Sequence, residues 1–388
     1  MKKPHILIFL ILISTVLALA CSKPSAPKKK SPPLFIWSAE YPAGKEPSFL
    51  ITEDIDKDGN LDLVVTNSGE HTFSYFKGNK DGTFQDALVF KTGMDPICVV
   101  AADFNRDGFP DLAVLNYGDQ NIHIYLNTKT GSLRNTGFMV KPGKIPINLT
   151  AGDFNEDGFP DLAVSMRYHK VVVMAGKGDG SFTEMRSMPV QGQPTGLVVG
   201  DYNHDGHVDI AVALAGSGNV GVEILWGKGK GVLEASKRFK GGRQPLTIAN
   251  IDANGDGFLD LITSTNSSHA VTLLLNNTDG TFKTFKDFAS GDFPKFIAVA
   301  DFSGDGIPDI AVSNSSSDLV SVSIGNGDGT FTYPPVFQGV PGYPQGIVAG
   351  DFNHDDLIDL ALSSRDRNSI SVMLKKNMVN PLPDKPQG

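Results

Sequence analysis

Asp103–Val114 reads DFNRDGFPDLAV, and Asp153–Val164 repeats it almost letter for letter as DFNEDGFPDLAV. The same register returns at five further aspartates: Asp54, Asp201, Asp252, Asp301 and Asp351. Along the chain, the first aspartates of successive copies are separated by 49, 50, 48, 51, 49 and 50 residues. A period of about 50 residues indicates a repeat architecture in which each copy forms the same supersecondary unit.

Each copy places an oxygen-bearing side chain at positions 1, 3, 5 and 9 of a loop, with Gly at position 6 in all but the last copy. Such a crowd of hard oxygens suits Ca²⁺, which takes roughly six to eight of them in flexible geometry, better than Mg²⁺, which prefers a tight octahedron. A backbone carbonyl near position 7 would complete the shell. We therefore predict up to seven calcium ions, one per copy, held by Asp54, Asp56, Asp58, Asp62, Asp103, Asn105, Asp107, Asp111, Asp153, Asn155, Asp157, Asp161, Asp201, Asn203, Asp205, Asp209, Asp252, Asn254, Asp256, Asp260, Asp301, Ser303, Asp305, Asp309, Asp351, Asn353, Asp355 and Asp359.

Two other interpretations of the loops are possible. An EF-hand begins with the same spacing but needs a bidentate Glu at position 12, where this chain has Val65, Val114, Val164, Val212, Thr263, Val312 and Leu362. The apolar, β-branched run after position 9 is typical of a strand, so the EF-hand interpretation fails. The remaining alternative is a set of metal-free turns, because Asp, Asn and Gly favour turns without any ion.

The copies are not equivalent. Asp56 adds a carboxylate at position 3 of the first copy, Ser303 replaces Asn in the sixth, and Asp356 replaces Gly in the seventh. Asp adopts a left-handed backbone less readily than Gly does. We expect the first site to bind calcium most tightly and the seventh most weakly.

The rest of each copy predicts four short strands. A strand such as Pro96–Ala102 precedes the loop, a second follows it, and a third such as Asn121–Leu126 leads to a Gly-rich turn such as Gly178–Phe182 and a fourth, more polar strand. Four strands per repeat are typical of a propeller blade. The sequence predicts an all-β, seven-bladed propeller over residues 34–378.

The chain ends predict how the ring closes. The seventh copy stops after its third strand, around Ser371–Leu374. Leu34–Glu40, before the first copy, lies where the other copies have a fourth strand. We expect this N-terminal strand to pair into the last blade, which removes the open edges that invite aggregation.

The Asp loops and the Phe/Gly turns, such as Phe76–Phe84, resemble those of FG-GAP repeat proteins, including bacterial VCBS-type repeat proteins and, more distantly, the head of integrin alpha chains. The resemblance covers about residues 35–378. It implies a propeller with calcium between the first two strands of each blade. Similar propellers serve in adhesins, in lectins and as modules attached to enzymes. Two Gly-rich turns, Thr128–Gly131 and Lys228–Gly231, depart from the pattern.

The N-terminal segment predicts export and lipidation. Residues 1–20 combine Lys2 and Lys3 with an apolar stretch too short to span a bilayer, as in a secretory signal. Ala18–Cys21 resembles a bacterial lipobox, with lipid on Cys21; the alternative is an ordinary signal peptide with a chance Cys. Ser22 favours the outer membrane by resemblance to Gram-negative lipoproteins. Residues 22–33 predict a flexible tether, and the Pro-rich residues 379–388 a disordered tail.

Cysteine usage and charge agree with an exported calcium protein. With Cys21 lipidated, Cys98 has no disulfide partner and is expected to be a small buried hydrophobe. The formal net charge is −9, which the predicted calcium ions would more than offset. The acidity is thus explained as a set of metal ligands, and no basic stripe predicts binding to nucleic acid.

Function is expected on the face opposite the Asp loops. There the turns carry aromatic, Arg and His side chains that suit contacts with a glycan or protein: His71, Tyr117, Arg167, Tyr168, His169, Arg243, His269, Tyr343, Arg365 and Arg367. We find no catalytic motif of the common hydrolase, metalloprotease or nucleotide-binding kinds. The favoured hypothesis is a lipid-anchored, calcium-binding adhesion module at the bacterial cell envelope, periplasmic or surface-facing. The alternative is a polysaccharide lyase or hydrolase that uses the Arg, Tyr and His residues of this face.

Overall fold

The protein is built almost entirely from β-strands. The computed structural model describes residues 35–129, 131–216, 221–235, 237–265 and 267–375. Apart from one 3₁₀ turn at Ser315–Ser317, the regular elements of these residues are the strands β1 Phe35–Pro42, β2 Pro47–Glu53, β3 Asp62–Asn67, β4 Thr72–Phe76, β5 Leu88–Lys91, β6 Pro96–Ala102, β7 Asp111–Asn116, β8 Asn121–Asn127, β9 Leu133–Val140, β10 Pro146–Gly152, β11 Asp161–Met166, β12 Lys170–Gly176, β13 Phe182–Pro189, β14 Gln193–Gly200, β15 Asp209–Ala215, β16 Gly221–Gly227, β17 Leu233–Ala235, β18 Phe239–Lys240, β19 Pro245–Ile251, β20 Asp260–Thr265, β21 Ala270–Asn276, β22 Phe282–Ala289, β23 Pro294–Ala300, β24 Asp309–Asn314, β25 Leu319–Ser323, β26 Val336–Gly339, β27 Pro344–Gly350, β28 Asp359–Ser364 and β29 Ser369–Lys375.

Consecutive strands pair antiparallel into seven sheets, which we number as blades one to seven. Their orders are β2-β3-β4-β5, β6-β7-β8-β9, β10-β11-β12-β13, β14-β15-β16-β17, β19-β20-β21-β22, β23-β24-β25-β26 and β27-β28-β29-β1. In blade four the outer strand is split, so β17 and β18 both pair with β16. The innermost strands β2, β6, β10, β14, β19, β23 and β27 contact one another in turn, and β27 contacts β2. The predicted seven-bladed propeller is confirmed.

Packing between blades explains the apolar runs after each Asp loop. The second strand of a blade is covered by a neighbouring blade on each face, so Asp209–Ala215 is buried at every residue. Within the described residues, the buried apolar side chains form seven clusters, each shared by two neighbouring blades. Burying both faces of these strands is the main favourable term that holds the blades together.

The ring closes through the N-terminal strand, as predicted. Strand β1 runs antiparallel to β29 from Phe35 opposite Lys375 to Pro42 opposite Ser369. Phe35 is 3% exposed, and its ring meets that of Phe302 in blade six edge-on, with 5.9 Å between centroids. The seventh blade is therefore completed by residues from both ends of the chain.

The structure also bears on the cysteine and membrane predictions. Cys98 is a free thiol that is fully buried in β6. Among the described residues, no helix has the length and apolar composition needed to cross a bilayer. The predicted signal peptide (residues 1–20), Cys21, the tether and the tail (residues 379–388) lie outside the described residues.

Candidate metal loops and ligand face

The seven Asp loops join the first and second strands of their blades and share one hydrogen-bond pattern. In blade five the Asp256 N–H donates to Oδ1 of Asp252 at 3.2 Å, and the Gly257 N–H donates to its Oδ2 at 3.0 Å. The same pair of bonds recurs in the other six loops. The chain thus wraps around the carboxylate at position 1, which explains why every copy begins with Asp.

Two positions of each loop have a left-handed backbone. At position 6 the Gly residues have φ between 82° and 90°, and Asp356 has φ 63° in the seventh loop. Position 4 is also left-handed, as at Arg106 (φ 56°) and His354 (φ 58°). The left-handed backbone at position 6 was predicted from its glycines. The left-handed backbone at position 4 was not predicted, although two copies have Gly there, at Gly255 and Gly304.

Position 3 lies directly beside position 5. In five loops an Asn at position 3 accepts the N–H of position 5 and donates its side-chain amide to the carboxylate there. In the sixth loop the Ser303 hydroxyl instead donates to Asp301 at 3.2 Å. The side chains of positions 1, 3 and 5 are therefore assembled by the loop itself.

The aspartate at position 9 lies deeper than the other three. Asp260 is fully buried; its Oδ2 accepts the Ala253 N–H at 3.0 Å and its Oδ1 accepts the Asn276 N–H at 2.8 Å. Each of the other loops has two equivalent backbone bonds, although in loop six the Ser303 N–H replaces that of position 2. Burial raises the pKa of Asp260 to about 7, against the opposing effect of its two backbone hydrogen bonds.

Position 9 therefore ties three strands of a blade together, a role that sequence reasoning missed. It joins the end of the first strand, the start of the second and the end of the third. The usable signal was that position 9 is Asp in all seven copies while positions 3, 4 and 6 vary. Whether this carboxylate also binds a metal stays a prediction.

The first loop brings three carboxylates together. Ligand oxygens of Asp54, Asp56 and Asp58 all lie within 4.8 Å of one another, the one such acidic group among the described residues. The Asp56 side chain is 7% exposed, and its Oδ1 is buried without a hydrogen-bond partner. The ammonium of Lys77 bonds to Asp56 Oδ2 and lies 3.1 Å from Asp58 Oδ2.

Six of the seven Asp loops are covered by the Gly-rich turn of the next blade, whereas at the loop of blade six Phe35 of β1 packs on Phe302. In two of these contacts the Phe that follows the turn packs on the aromatic side chain at position 2 of the preceding loop: Phe182 meets Phe104 with 5.4 Å between centroids, and Phe282 meets Tyr202 at 5.8 Å. At the closing seam Phe84 of blade one meets Phe352 of blade seven at 5.5 Å. The Phe/Gly turns thus hold neighbouring blades together on the loop face.

A second contact links position 4 of one loop to position 7 of the next. His204 stacks on Phe258 with 4.0 Å between ring centroids, and Glu156 bonds to His207. His204 and His354 are both exposed, but His204 also stacks, and His354 Nε2 lies 2.9 Å from Asn60 Oδ1 across the seam.

On the opposite face, several predicted ligand residues hold the blades together. His71 and His269 have left-handed backbones, and each ring Nδ1 accepts a backbone N–H of the following blade, from Asp95 at 3.2 Å and Phe293 at 3.4 Å. The Tyr343 N–H donates to Asp318 Oδ1 at 2.8 Å in the same way.

Two predicted ligand residues form ion pairs at the closing seam. Arg365 lies 2.7 Å from Glu46 of blade one. Arg367 makes two bonds to Glu40 of strand β1, at 2.7 and 3.0 Å. These arginines are already paired within the protein, so they are less suited to bind an external partner.

The remaining predicted residues include one contiguous group on blades two and three. Arg167 Nη1 donates to the Tyr117 hydroxyl at 3.5 Å, and Arg167, Tyr168 and His169 are all exposed. The exposed Lys141 and Lys144 lie in the turn that leads to Pro146, whose Ile145 carbonyl accepts the Arg167 N–H at 2.9 Å. We call these six residues the basic patch. Arg243 lies apart from it, in the turn before blade five.

The basic patch lacks acidic partners. Within the described residues, neither its arginine nor its two lysines take part in any ion pair. Tyr168 is 62% exposed. An exposed aromatic ring beside uncompensated positive charge is notable on a chain whose net charge is −9.

The fold and its loops define a class of protein: seven-bladed propellers with an Asp-rich loop between the first two strands of each blade. The chain matches the FG-GAP-like repeat family over residues 54–114, 107–164, 153–212, 252–312 and 301–362, which include all seven loops. The protein belongs to this family of FG-GAP-like repeat proteins, as the resemblance of the loops indicated.

Comparison with solved structures agrees on the fold. Two similar structures are described as BBS1N in complex with ARL6DN, one soaked with mercury and one with lead. Each is 14% identical in sequence, with a TM-score of 0.65 over 90% of this chain and 99% of that chain. At this identity the likeness concerns the fold only. Comparison with curated proteins finds no significant match.

Proposed function

We propose that this protein is a lipid-anchored, calcium-binding propeller that holds an anionic protein or glycan at the bacterial cell envelope. The observation that carries the binding role is the basic patch, whose charges have no acidic partner among the described residues. The calcium loops would stabilise the opposite face, and a lipid on Cys21 would keep the propeller at the membrane.

The residues of the loops fit a calcium ion. Positions 1, 3 and 5 offer two carboxylates and an amide in most copies, which are the hard oxygen ligands that calcium prefers. Backbone N–H groups already hold these side chains in place, so an ion would bind with little reorganisation. When bound, calcium would neutralise carboxylates that otherwise repel one another.

The binding role also has support from the related fold. The BBS1N structures are described as complexes with a second protein, ARL6DN. Propellers of this shape can therefore present a surface to a protein partner. On this chain the basic patch is the part of the turn face best suited to such a partner, because aromatic and Arg side chains dominate binding energy at interfaces.

Calcium binding is tested by thermal unfolding of the purified protein in EGTA and in increasing calcium. Sites with a Kd of about 10⁻⁴ to 10⁻³ M, common in extracellular modules, would each add about 1.4–2.7 kcal/mol at 10 mM calcium. We expect a midpoint that rises with calcium concentration. Equal midpoints in EGTA and calcium would refute the calcium proposal.

Ligand binding is tested with polygalacturonate as an anionic glycan and polyglutamate as an anionic peptide, with dextran as the neutral control. We expect binding to an anionic probe that weakens with salt and falls by about tenfold or more in Arg167→Glu. Lys283→Glu, on the outer strand β22, is the matched charge control and should bind normally. Equal losses in both variants, or no binding to either anionic probe, would contradict the proposed face.

The same assay separates binding from catalysis. An unsaturated uronate product or new reducing ends would assign the protein to the polysaccharide-active alternative. The lipid anchor is tested with Cys21→Ser, which should move the protein from the membrane fraction to the soluble fraction. Retention of that variant in the membrane fraction would contradict lipidation at Cys21.

A further inference from the structure

We propose that Lys77 is an internal cation of the first Asp loop, where its ammonium takes the place that a metal ion would take in the other six loops. The statement about the metal rests on the proposed calcium function, whereas the charge pairing stands on the geometry of blade one.

The first loop has one more carboxylate at positions 1, 3, 5 and 9 than any other loop, and Lys77 contacts this extra carboxylate directly. Its ammonium bonds to Asp56 and lies 3.1 Å from Asp58, while the oxygens of Asp54, Asp56 and Asp58 lie within 4.8 Å of one another. A single ammonium thus contacts two of the three clustered carboxylates. The Asp56 side chain is 7% exposed, so bulk water screens its charge poorly.

Lys77 and Asp56 are a paired exception among the repeats. Strand register makes Lys77 equivalent to Leu126, Ala175, Trp226, Leu275, Ile324 and Leu374, because each follows the residue paired with position 10 of its loop. All six equivalents are uncharged and apolar. Asp56 is likewise the one carboxylate at position 3 in seven copies. The extra negative charge and the extra positive charge occur in the same blade.

The residue at position 3 of the loop and the residue equivalent to Lys77 lie next to each other beneath the Gly-rich turn of the next blade. If Gly280 of the blade-five turn carried a Cβ atom, that atom would lie 2.5 Å from the Trp226 side chain and 3.0 Å from the Asn203 Cβ of blade four. A Cβ atom on Gly82 of the blade-one turn would lie 3.1 Å from both the Leu374 side chain and the Asn353 Cβ of blade seven. An apolar side chain and an Asn therefore share this location in blades four and seven.

In blade one the same location is filled by charged groups. A Cβ on Gly131 would lie only 2.7 Å from the Asp56 Cβ. This close cover explains the burial of Asp56, and it explains why a third carboxylate there requires a counter-ion from the chain itself.

Two lysines beside other Asp loops differ from Lys77. Lys228 lies 3.3 Å from Asp205, and Lys129 lies 3.9 Å from Asp107; both are more exposed than Lys77 and each pairs with a single carboxylate. They come from the turns beyond the third strand and reach only position 5. Lys77 thus differs from these two lysines in that it contacts two carboxylates of its loop.

The consequence for metal binding is opposite to the expectation from charge count. The three carboxylates led to the prediction that the first loop binds calcium most tightly. The Lys77 ammonium, however, already neutralises part of their charge. A calcium ion would have to displace Lys77 from Asp56 and Asp58. The protein should therefore bind one calcium ion fewer than it has Asp loops.

The charge pairing is tested in EGTA, where no metal contributes. Lys77→Leu leaves Asp56 buried without a counter-ion, and we expect its melting temperature to fall by about 2–5 °C. Asp56→Asn combined with Lys77→Leu restores the residues found at these positions in blades two, five and seven and should recover most of the loss. Lys228→Leu is the matched control and should melt like the wild type. A Lys77→Leu variant that melts like the wild type in EGTA, or a double variant no better than the single, would overturn the proposal.

The metal statement is tested by calorimetric titration with calcium. We expect Lys77→Leu to bind one more equivalent of calcium than the wild type. If the wild type already binds seven, Lys77 is displaced and the proposal is overturned. If neither protein binds calcium but the EGTA pattern holds, the proposed calcium function fails while Lys77 is supported as the internal cation.

Discussion

Replacing Asp260 with asparagine tests whether the aspartate at position 9 holds the blade together, binds a metal, or does both. The carboxylate is fully buried and accepts the N–H groups of Ala253 and Asn276 at 3.0 and 2.8 Å. Asparagine has one acceptor oxygen, so it would turn an NH₂ group toward one of these donors.

The magnitude follows from these two bonds. A hydrogen bond to a charged group contributes about 1.5–3 kcal/mol, and a buried donor left unpaired costs a further 1–3 kcal/mol or so. Burial of the carboxylate, which raises its pKa to about 7, offsets part of this loss. We expect Asp260→Asn to lower the free energy of unfolding by about 2–4 kcal/mol.

The assay is urea unfolding at pH 8, where the carboxylate is ionised, in EGTA and again in calcium. A purely structural role predicts the same loss in both conditions, whereas a role as ligand adds a further loss in calcium only. Asp279→Asn, an exposed turn aspartate that accepts two bonds from Thr281, is the control and should cost less than about 1 kcal/mol. A loss of similar size to the control in EGTA would refute the structural role.

Three further predictions concern closure, the thiol and pH. Phe35→Ala should lower the free energy of unfolding, measured in urea, by about 3–5 kcal/mol because it removes the buried ring through which β1 packs on blade six. Trp37 is 40% exposed on the same strand, so Trp37→Ala should lower the free energy of unfolding much less. Equal losses in the two variants would contradict closure of the ring by β1. Burial raises the pKa of Cys98 to about 12, so this thiol should react with Ellman's reagent only after unfolding, and rapid labelling of the native protein would contradict its burial. Burial lowers the pKa of His123, whose ring nitrogens have no hydrogen-bond partner among the described residues. As pH falls, the unfolded chain therefore takes up a proton on this imidazole near pH 6.5, before the folded protein does. The free energy of unfolding decreases as pH falls through this range. His123→Leu should therefore be more stabilising relative to wild type at pH 5 than at pH 8 in thermal unfolding, and an equal effect at both would contradict the shift.

The sequence alone determined the features of this protein that repeat locally. Seven Asp loops at a period of about 50 residues, each followed by a β-branched run, predicted seven four-stranded blades, and the missing fourth strand of the last repeat predicted closure by Leu34–Glu40. These predictions succeed because turn residues and strand patterns act over a few neighbouring residues. The Asp loops, and the Gly at position 6 with its left-handed backbone, were also found in this way.

Tertiary structure decided what individual side chains do. Arg367 pairs with Glu40, which lies 327 residues away, and His71 accepts an N–H from Asp95 of the next blade. Two of the predicted ligand-face arginines therefore belong to the seam, and the unpaired charge lies around Arg167. Lys77 and Asp56 are each ordinary in the sequence and become a pair only when the blade folds. Such contacts depend on where separate strands meet in space, and the spacing of residues along one chain does not contain that information.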